Sequence, residues 1–250
     1  SAAAELLCGV GSPSGKLSDT FAKKLEDYPS SETFHESVKY VDYKEDIYVG
    51  YRYFETIPGA DKAVNYPFGY GLSHTTFERA LVSAEEKQGV IRVRVNVTNT
   101  GKYPGKEVMQ LYAQAPQGVL GKAKRVLAAF EKTRLLAQGE TQLLTLEAPV
   151  AQLASYDDLG KIQKSAYVLE KGKYQFYLGT SVRETEQVFC FTMPEDTVTE
   201  QLTAKLVPTS LAERMLSDGS FEKLPQSEPN DPDYSAIKRV PREESDGFSP

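Results

Sequence analysis

The sequence contains no tryptophan, two cysteines, two histidines and no long run of apolar residues. Because a helix that crosses a bilayer needs about 20 consecutive apolar residues, the lack of such a run argues against a membrane protein. The first residues show no basic region followed by an apolar one, so we expect no secretory signal peptide. We therefore expect no membrane partner.

The scarcity of cysteine and histidine limits the chemistry of the chain. Cys8 and Cys190 form no CxxC pair, so no disulfide framework is predicted, and we interpret both as small buried hydrophobic residues. This usage is compatible with the cytoplasm, although the compartment stays open. His35 and His74 lie far apart without companion ligands. We therefore predict no zinc site and no cofactor.

The charge balance is acidic, with 29 Lys and Arg residues against 35 Asp and Glu residues and a net charge of −6. The basic residues are scattered among acidic ones. Because nucleic-acid binding needs a clustered basic surface, we expect no nucleic-acid partner. An acidic protein that acts on a neutral substrate fits this composition.

The sequence is rich in short segments in which apolar and polar residues alternate. In Val90–Asn99, four aliphatic residues at odd positions alternate with Arg, Asn and Thr, which is typical of a half-buried antiparallel strand. Further strands are predicted at 78–84, 107–114, 125–134, 140–147, 165–169, 173–179 and 186–192. About eight strands at this spacing indicate a β-sandwich, so the chain is predicted to be mainly β.

The stretch 43–77 is dense in aromatic residues. Residues 46–54 are apolar at both odd and even positions, which predicts a strand covered on both faces. In 66–71, Pro67 and two glycines predict a sharp turn or a close approach to another segment. The Pro/Gly/Ser segment 9–18 lacks the residues of a phosphate-binding loop, so we interpret it as a turn that leads into a strand at 16–21.

Both ends of the chain differ from the centre. Residues 1–8 predict a helix that ends at Gly9. Ser210 and Glu213 have the spacing of a capping box, which predicts a short helix within 209–219. Residues 224–250 are rich in Pro, Ser, Asp and Glu, and this composition is typical of a linker that does not fold alone.

Three separated motifs resemble glycoside hydrolase family three, the β-glucosidase and β-xylosidase family. They are SAAAELLCGVGSPSGKLSDTF, YKEDIYVGYRYF and YPFGYGLSHTTF, in the order and spacing found at the end of the family's α/β sandwich domain. Four positions depart from the usual residues of the family: Ser12, Ser18, Asp46 and His74. Each is a single substitution within an intact motif.

The central strands resemble the fibronectin type III-like domain of many family members. The similar segments are VRVNVTNTGKYPGKEVMQLYAQAP, KRVLAAFEKTRLLAQGET, LASYDD and EKGKYQFYLGTS. We therefore expect residues 1–79 to be the C-terminal portion of a partial α/β sandwich domain, 80–200 the β-sandwich, and 201–250 a short helix with an extended tail. That tail resembles the connector that leads into a barrel in a circularly permuted subgroup.

The resemblance implies where the chemistry lies. A retaining glycosidase uses two carboxyl groups about 5–5.5 Å apart. In the family, the nucleophile lies on the barrel domain, and the acid/base lies in the α/β domain before the PSGKL turn. Neither segment matches this chain, so we assign no catalytic residue. The implied partners are the barrel domain, the N-terminal part of the α/β domain and a saccharide substrate.

Candidate substrate-binding residues are Glu45, Asp46 and Arg52. Of the adjacent acidic pairs, only Glu45–Asp46 lies beside the aromatic segment, where it could contact a sugar or simply form a salt bridge. Arg52 could stack on or bond to a substrate, or it could form a buried ion pair or a stacking contact inside the domain. The tyrosines at 48, 51, 66 and 70 are interpreted as core. Asp157 is expected to fix a turn.

We predict a non-catalytic structural portion of a family-three hydrolase, one that hydrolyses terminal β-linked sugars with retention when complete. The alternative is a free-standing carbohydrate-binding or adhesive module. The absence of tryptophan weighs against that alternative, whereas 15 tyrosines favour it. A third possibility is a truncation product without a function of its own.

Overall fold

The computed structural model describes residues 1–35, 37, 41–205, 207 and 211–225. The described residues include two short α-helices, α1 (Ala2–Leu7) and α2 (Tyr51–Phe54), and 3-10 turns at Leu25–Asp27, Ala60–Ala63 and Val150–Leu153. The strands are β1 (Phe21–Ala22), β2 (Val64–Tyr66), β3 (Phe77–Lys87), β4 (Val90–Asn99), β5 (Val108–Gln114), β6 (Val126–Lys132), β7 (Thr141–Pro149), β8 (Ser155–Asp157), β9 (Ala166–Leu169), β10 (Gly172–Gly179), β11 (Thr185–Met193), β12 (Thr197–Gln201), β13 (Glu213–Met215) and β14 (Phe221–Lys223).

Seven of these strands form the predicted β-sandwich. One antiparallel sheet has the order β3-β4-β7 and the other β11-β10-β5-β6. The alternating aliphatic residues of β4 are fully buried and pack with Met109 and Leu111 of β5 and Phe176 of β10. Burying a side chain of this size contributes about 1.5–3 kcal/mol, so this shared core holds the two sheets together. The prediction of a mainly β fold is confirmed.

A third, small sheet lies at one end of the sandwich, with the order β12-β9-β8. Strands β8 and β12 were not predicted, because β8 has three residues and every residue of β12 is exposed. The loop after β8 is held by Asp157, whose carboxylate accepts four backbone amides of residues 160–163 at 2.7–3.0 Å. The prediction that Asp157 fixes a turn is therefore confirmed.

The predicted strand at 46–54 is wrong. Asp46 and Gly50 both have positive φ angles, of 51° and 56°, which interrupt an extended backbone. After Gly50 the chain forms α2, with the Phe54 amide bonded to the Gly50 carbonyl at 3.1 Å. The apolar residues still pack inward, since Tyr48 and Phe54 are buried. The aromatic residues in this segment therefore indicate burial and not strand geometry. The positive φ of Gly50 ends the extended backbone before α2.

The predicted strand at 16–21 is also largely wrong, because strand geometry covers only Phe21 and Ala22, which pair with β2. The close approach predicted for 66–71 is confirmed. Gly69 has a φ of 80°, and a β-carbon there would overlap the side chain of Gln110. Gly71 lies similarly close to the backbone of Gly15. Gly69 therefore lets the 66–71 turn lie directly on the sandwich, while Gly71 lets the same turn approach Gly15 within residues 1–79.

The short helix predicted within 209–219 is wrong over its described part. Residues 213–223 form a hairpin in which β13 pairs with β14, closed by a turn at Asp218 and Gly219. Gly219 has a φ of 85°, which favours a tight turn over a helix. Ser210 of the expected capping box lies outside the described residues, as does most of the predicted linker 224–250.

The interpretation of both cysteines as buried is wrong, because Cys8 and Cys190 are exposed. On β11, Phe189 and Phe191 pack against the core, so the residue between them points outward. Cys8 ends α1, at the surface of the chain. Among the described residues, no helix is long and apolar enough to span a membrane.

Candidate functional site

An aromatic cluster joins residues 1–79 to the sandwich and positions the candidate site. Tyr51 of α2, Phe68 and Tyr112 of β5 have ring centroids 4.4–6.5 Å apart. The Tyr51 hydroxyl also accepts a hydrogen bond of 3.0 Å from the Leu127 amide of β6. These contacts hold α2, and with it Arg52, against the edge of the four-stranded sheet.

A pocket of about 740 Å³ lies beside this cluster. Its wall comes from residues 46–52, from the 113–126 region, from residues 152–158 and from the C-terminal hairpin. The lining residues are Asp46, Ile47, Arg52, Ala113, Ala115, Leu120, Gly121, Lys122, Ala123, Val126, Gln152, Leu153, Ala154, Ser155, Tyr156, Asp158, Tyr167 and Arg214. This volume is typical of small-molecule sites.

Two tyrosines form one wall of the pocket. Tyr156 of β8 and Tyr167 of β9 are paired across the strands, with ring centroids 5.4 Å apart. They are 40% and 38% exposed, unlike the buried tyrosines of the core. Their rings therefore present apolar surface to solvent next to several polar groups, and a ligand could cover that surface.

A buried lysine also lines the pocket. Lys122 is 5% exposed, and its ammonium contacts the hydroxyl of Ser155 and lies 3.6 Å from Glu170 Oε2. Burial lowers the pKa of Lys122, although the neighbouring Glu170 opposes that shift. The other oxygen of Glu170 accepts the amide of Val119 at 2.7 Å. The lysine thus belongs to a network that holds the 116–123 loop on the sandwich.

Arg214 links three parts of the chain at the rim of the pocket. Its guanidinium donates to both oxygens of Asp158 at 2.9 and 3.0 Å and to Glu222 at 3.2 Å. It also lies 3.9 Å from Asp46. Arg214 therefore connects the C-terminal hairpin to the sandwich and to residues 1–79.

The carboxyl group of Asp46 lines the pocket and has a raised pKa. Burial raises its pKa, Arg214 opposes this shift, and the nearby Asp158 and Glu222 add to it. A raised carboxyl pKa beside a second carboxylate is an arrangement that glycosidases use. Here, however, Arg214 lies 3.9 Å from Asp46 and 2.9 Å from Asp158, so both carboxylates are already paired with one cation.

The structure brings together two of the three predicted site residues. Asp46 and Arg52 both line the pocket, whereas Glu45 is buried and is not part of the lining. Arg52 is exposed, so the interpretation as a buried ion pair is wrong, and among the described residues it forms neither an ion pair nor a stacking contact on an aromatic ring. The interpretation of four tyrosines as core holds for Tyr48, which is buried, but not for Tyr66, which is exposed; Tyr51 and Tyr70 are half-buried.

Sequence reasoning missed the pocket residues that come from the sandwich and the hairpin. Tyr156 and Tyr167 carry a signal only once strands β8 and β9 are known to pair, and Arg214 was assigned to a helix. Across the described ranges, no group of three or more His, Cys, Asp or Glu side chains has the geometry of a metal site.

Comparison with known proteins agrees with this architecture. Residues 107–182 match the fibronectin type III-like domain family. The chain is 56% identical to β-glucosidase A of Butyrivibrio fibrisolvens over 257 aligned residues, which cover 96% of this chain and 31% of that protein. It is 46% identical to a β-glucosidase of Ruminococcus albus, over 90% of this chain and 24% of the relative.

Solved structures give the same result. The crystal structure of a β-glucosidase from Paenibacillus barengoltzii superposes with a TM-score of 0.85 at 46% identity, covering 91% of this chain and 26% of that one. The chain belongs to glycoside hydrolase family three. This family-three chain corresponds to a C-terminal part of the α/β sandwich domain followed by the fibronectin type III-like domain. It spans about a quarter to a third of the length of these curated relatives.

Proposed function

We propose that this chain is a non-catalytic structural portion of a β-glucosidase-like hydrolase that cleaves terminal β-linked sugars with retention when complete. Its role is to support the domains that carry the two catalytic carboxyl groups. The relatives that bear the name β-glucosidase are three to four times longer than the matched region. The proposal is supported by the family resemblance, which implies that both catalytic segments lie outside the region that this chain matches.

The observation that carries this proposal is the exposed apolar surface of residues 1–79. Among the described residues of this range, the buried hydrophobic side chains are those of Tyr48, Phe54 and Val64. Ten large hydrophobic side chains are exposed: Leu7, Val10, Phe21, Leu25, Phe34, Tyr43, Ile47, Val49, Tyr66 and Leu72. Apart from the tyrosines, five of them are 61–89% exposed: Leu7, Val10, Leu25, Phe34 and Leu72.

Such a surface is costly in water and marks an interface. Each large apolar side chain that becomes covered contributes about 1.5–3 kcal/mol, so several together supply a firm contact with a neighbouring domain. Residues 80–200 also expose ten large hydrophobic side chains, but they bury 21 hydrophobic residues, against three in the described part of residues 1–79. Residues 1–79 therefore behave as the docking side of the chain, and their partner is the remainder of the parent hydrolase.

The direct test is turnover by the isolated 250-residue chain. It is incubated with a chromogenic β-glucoside beside the variants Asp46→Asn and Asp158→Asn, which alter the one pair of pocket carboxyl groups bridged by Arg214. We expect no hydrolysis above that of buffer from any of the three. Hydrolysis by the unaltered chain that either substitution abolishes would show that this chain has its own catalytic pair.

A further inference from the structure

The pocket beside α2 has features that a purely structural role does not require. Its lining combines apolar side chains, the half-exposed aromatic rings of two tyrosines and several charged side chains. We propose that this pocket binds a neutral saccharide of one or two sugar units. The proposal is independent of the scaffold role described above, because a structural portion of a hydrolase could have this role with or without a sugar-binding pocket.

The charges of the pocket favour a neutral ligand. Three basic side chains line it, those of Arg52, Lys122 and Arg214, with the carboxylates of Asp46 and Asp158. Lys122 is further compensated by Glu170 at 3.6 Å. Positive and negative groups therefore balance, so an ion gains little Coulomb energy on entry and would lose its hydration.

The polar groups also argue against a purely apolar ligand. An apolar molecule would remove water from Asp46 and Arg52 without offering them hydrogen bonds, which is unfavourable. Arg52 has no hydrogen-bond partner among the described residues, so its guanidinium is free to donate to a ligand. Asp46 lies 3.9 Å from Arg214, which leaves its oxygens able to accept from a hydroxyl group.

A saccharide satisfies both requirements. One face of a pyranose ring is apolar and can cover the rings of Tyr156 and Tyr167, while its edge carries hydroxyl groups that both donate and accept. The guanidinium of Arg52 and the carboxylate of Asp46 line the same pocket and match such an edge, because a guanidinium only donates hydrogen bonds and a carboxylate only accepts them. The cavity volume of about 740 Å³ accommodates a disaccharide.

The test is calorimetric titration of the full chain with cellobiose. We expect saturable binding with a Kd on the order of 1 mM. The variants Tyr167→Ala and Arg52→Gln should each bind about five- to tenfold more weakly, because one loses the ring surface and the other the donor fork. Chemical-shift changes of the Tyr156 and Tyr167 ring protons on addition of cellobiose give an independent measurement that needs no variant.

Matched controls come from exposed residues away from the pocket, Tyr103→Ala and Arg94→Gln, which should bind cellobiose as the unaltered chain does. Thermal unfolding of every variant verifies its fold. The proposal is overturned if the unaltered chain shows no binding at tens of millimolar cellobiose, or if pocket and control variants bind alike. It is equally overturned if glucuronate binds and cellobiose does not.

Discussion

Replacing Arg214 with methionine tests how the C-terminal hairpin is held. The side chain is 16% exposed and donates to Asp158 and Glu222. Removing one partner of a buried ion pair costs about 3–5 kcal/mol. The two carboxylates are 41% and 24% exposed, so water compensates part of that loss and we expect about 2 kcal/mol. Methionine keeps the apolar stem, which separates the loss of charge from a loss of packing.

The assay is native-state hydrogen exchange of the hairpin. The Met215 amide donates to the Lys44 carbonyl at 2.7 Å and exchanges only when the hairpin leaves residues 1–79. A loss of about 2 kcal/mol raises its exchange roughly 30-fold, while core amides such as that of Val93 change far less.

Arg79→Met provides the control, because Arg79 forms a longer and more exposed pair with Glu186 at 3.5 Å and should cost about 0.5 kcal/mol or less. Arg214→Lys should lie between the two, since it keeps the charge and loses the fork. Equal exchange of the Met215 amide in the Arg214→Met and Arg79→Met chains would refute the assignment of Arg214 as the link between three segments.

Three further outcomes follow from the same structure. Gly69→Ala should destabilise the chain by about 1–2 kcal/mol more than Gly139→Ala in denaturant unfolding, because both have positive φ but only Gly69 faces a buried side chain; equal losses would contradict the close contact. Burial raises the pKa of Asp157, but four backbone amides outweigh it and hold that pKa below its usual value. The stability this carboxylate supplies is therefore complete above about pH 4 and lost as the pH falls through the lowered pKa, and Asp157→Asn should abolish this acid step in unfolding curves; an unchanged step would exclude Asp157 as its source. In the isolated chain, amides of residues 1–79 should exchange faster than those of the sandwich core, and equal protection of α2 and β4 would contradict the exposed docking surface.

The sandwich was predictable because apolar and polar residues alternate with a period of two along its long strands. In β4 the aliphatic residues at 91, 93, 95 and 97 are all buried, so the alternation in the sequence matches the face that packs on the core. Strands of three residues, such as β8, offer no such pattern. The strand prediction for 46–54 failed because Tyr48 is buried from a turn and Phe54 from the short helix α2. Burial of these aromatic residues does not require an extended backbone.

The candidate site was predictable only in part. Asp46 was identified because it lies beside an aromatic segment that matches a family motif, and Arg52 because it lies between two tyrosines of that segment; both line the pocket. Tyr167 and Arg214 come from elements that are more than 100 residues away in the chain. Only the tertiary fold brings these side chains together, since no local pattern links a short strand, a hairpin and a loop.

The most direct test of the scaffold proposal is reconstitution of activity from two pieces. The chain is combined with a Butyrivibrio fibrisolvens β-glucosidase A that lacks the region matched here, and hydrolysis of a chromogenic β-glucoside is measured. We predict activity only in the mixture, lost when Leu25 and Leu72 of the exposed surface are changed to glutamate and kept when the exposed sandwich residue Val119 is changed instead. Hydrolysis by the isolated chain, or reconstitution that is indifferent to the Leu25→Glu, Leu72→Glu variant, would contradict the account.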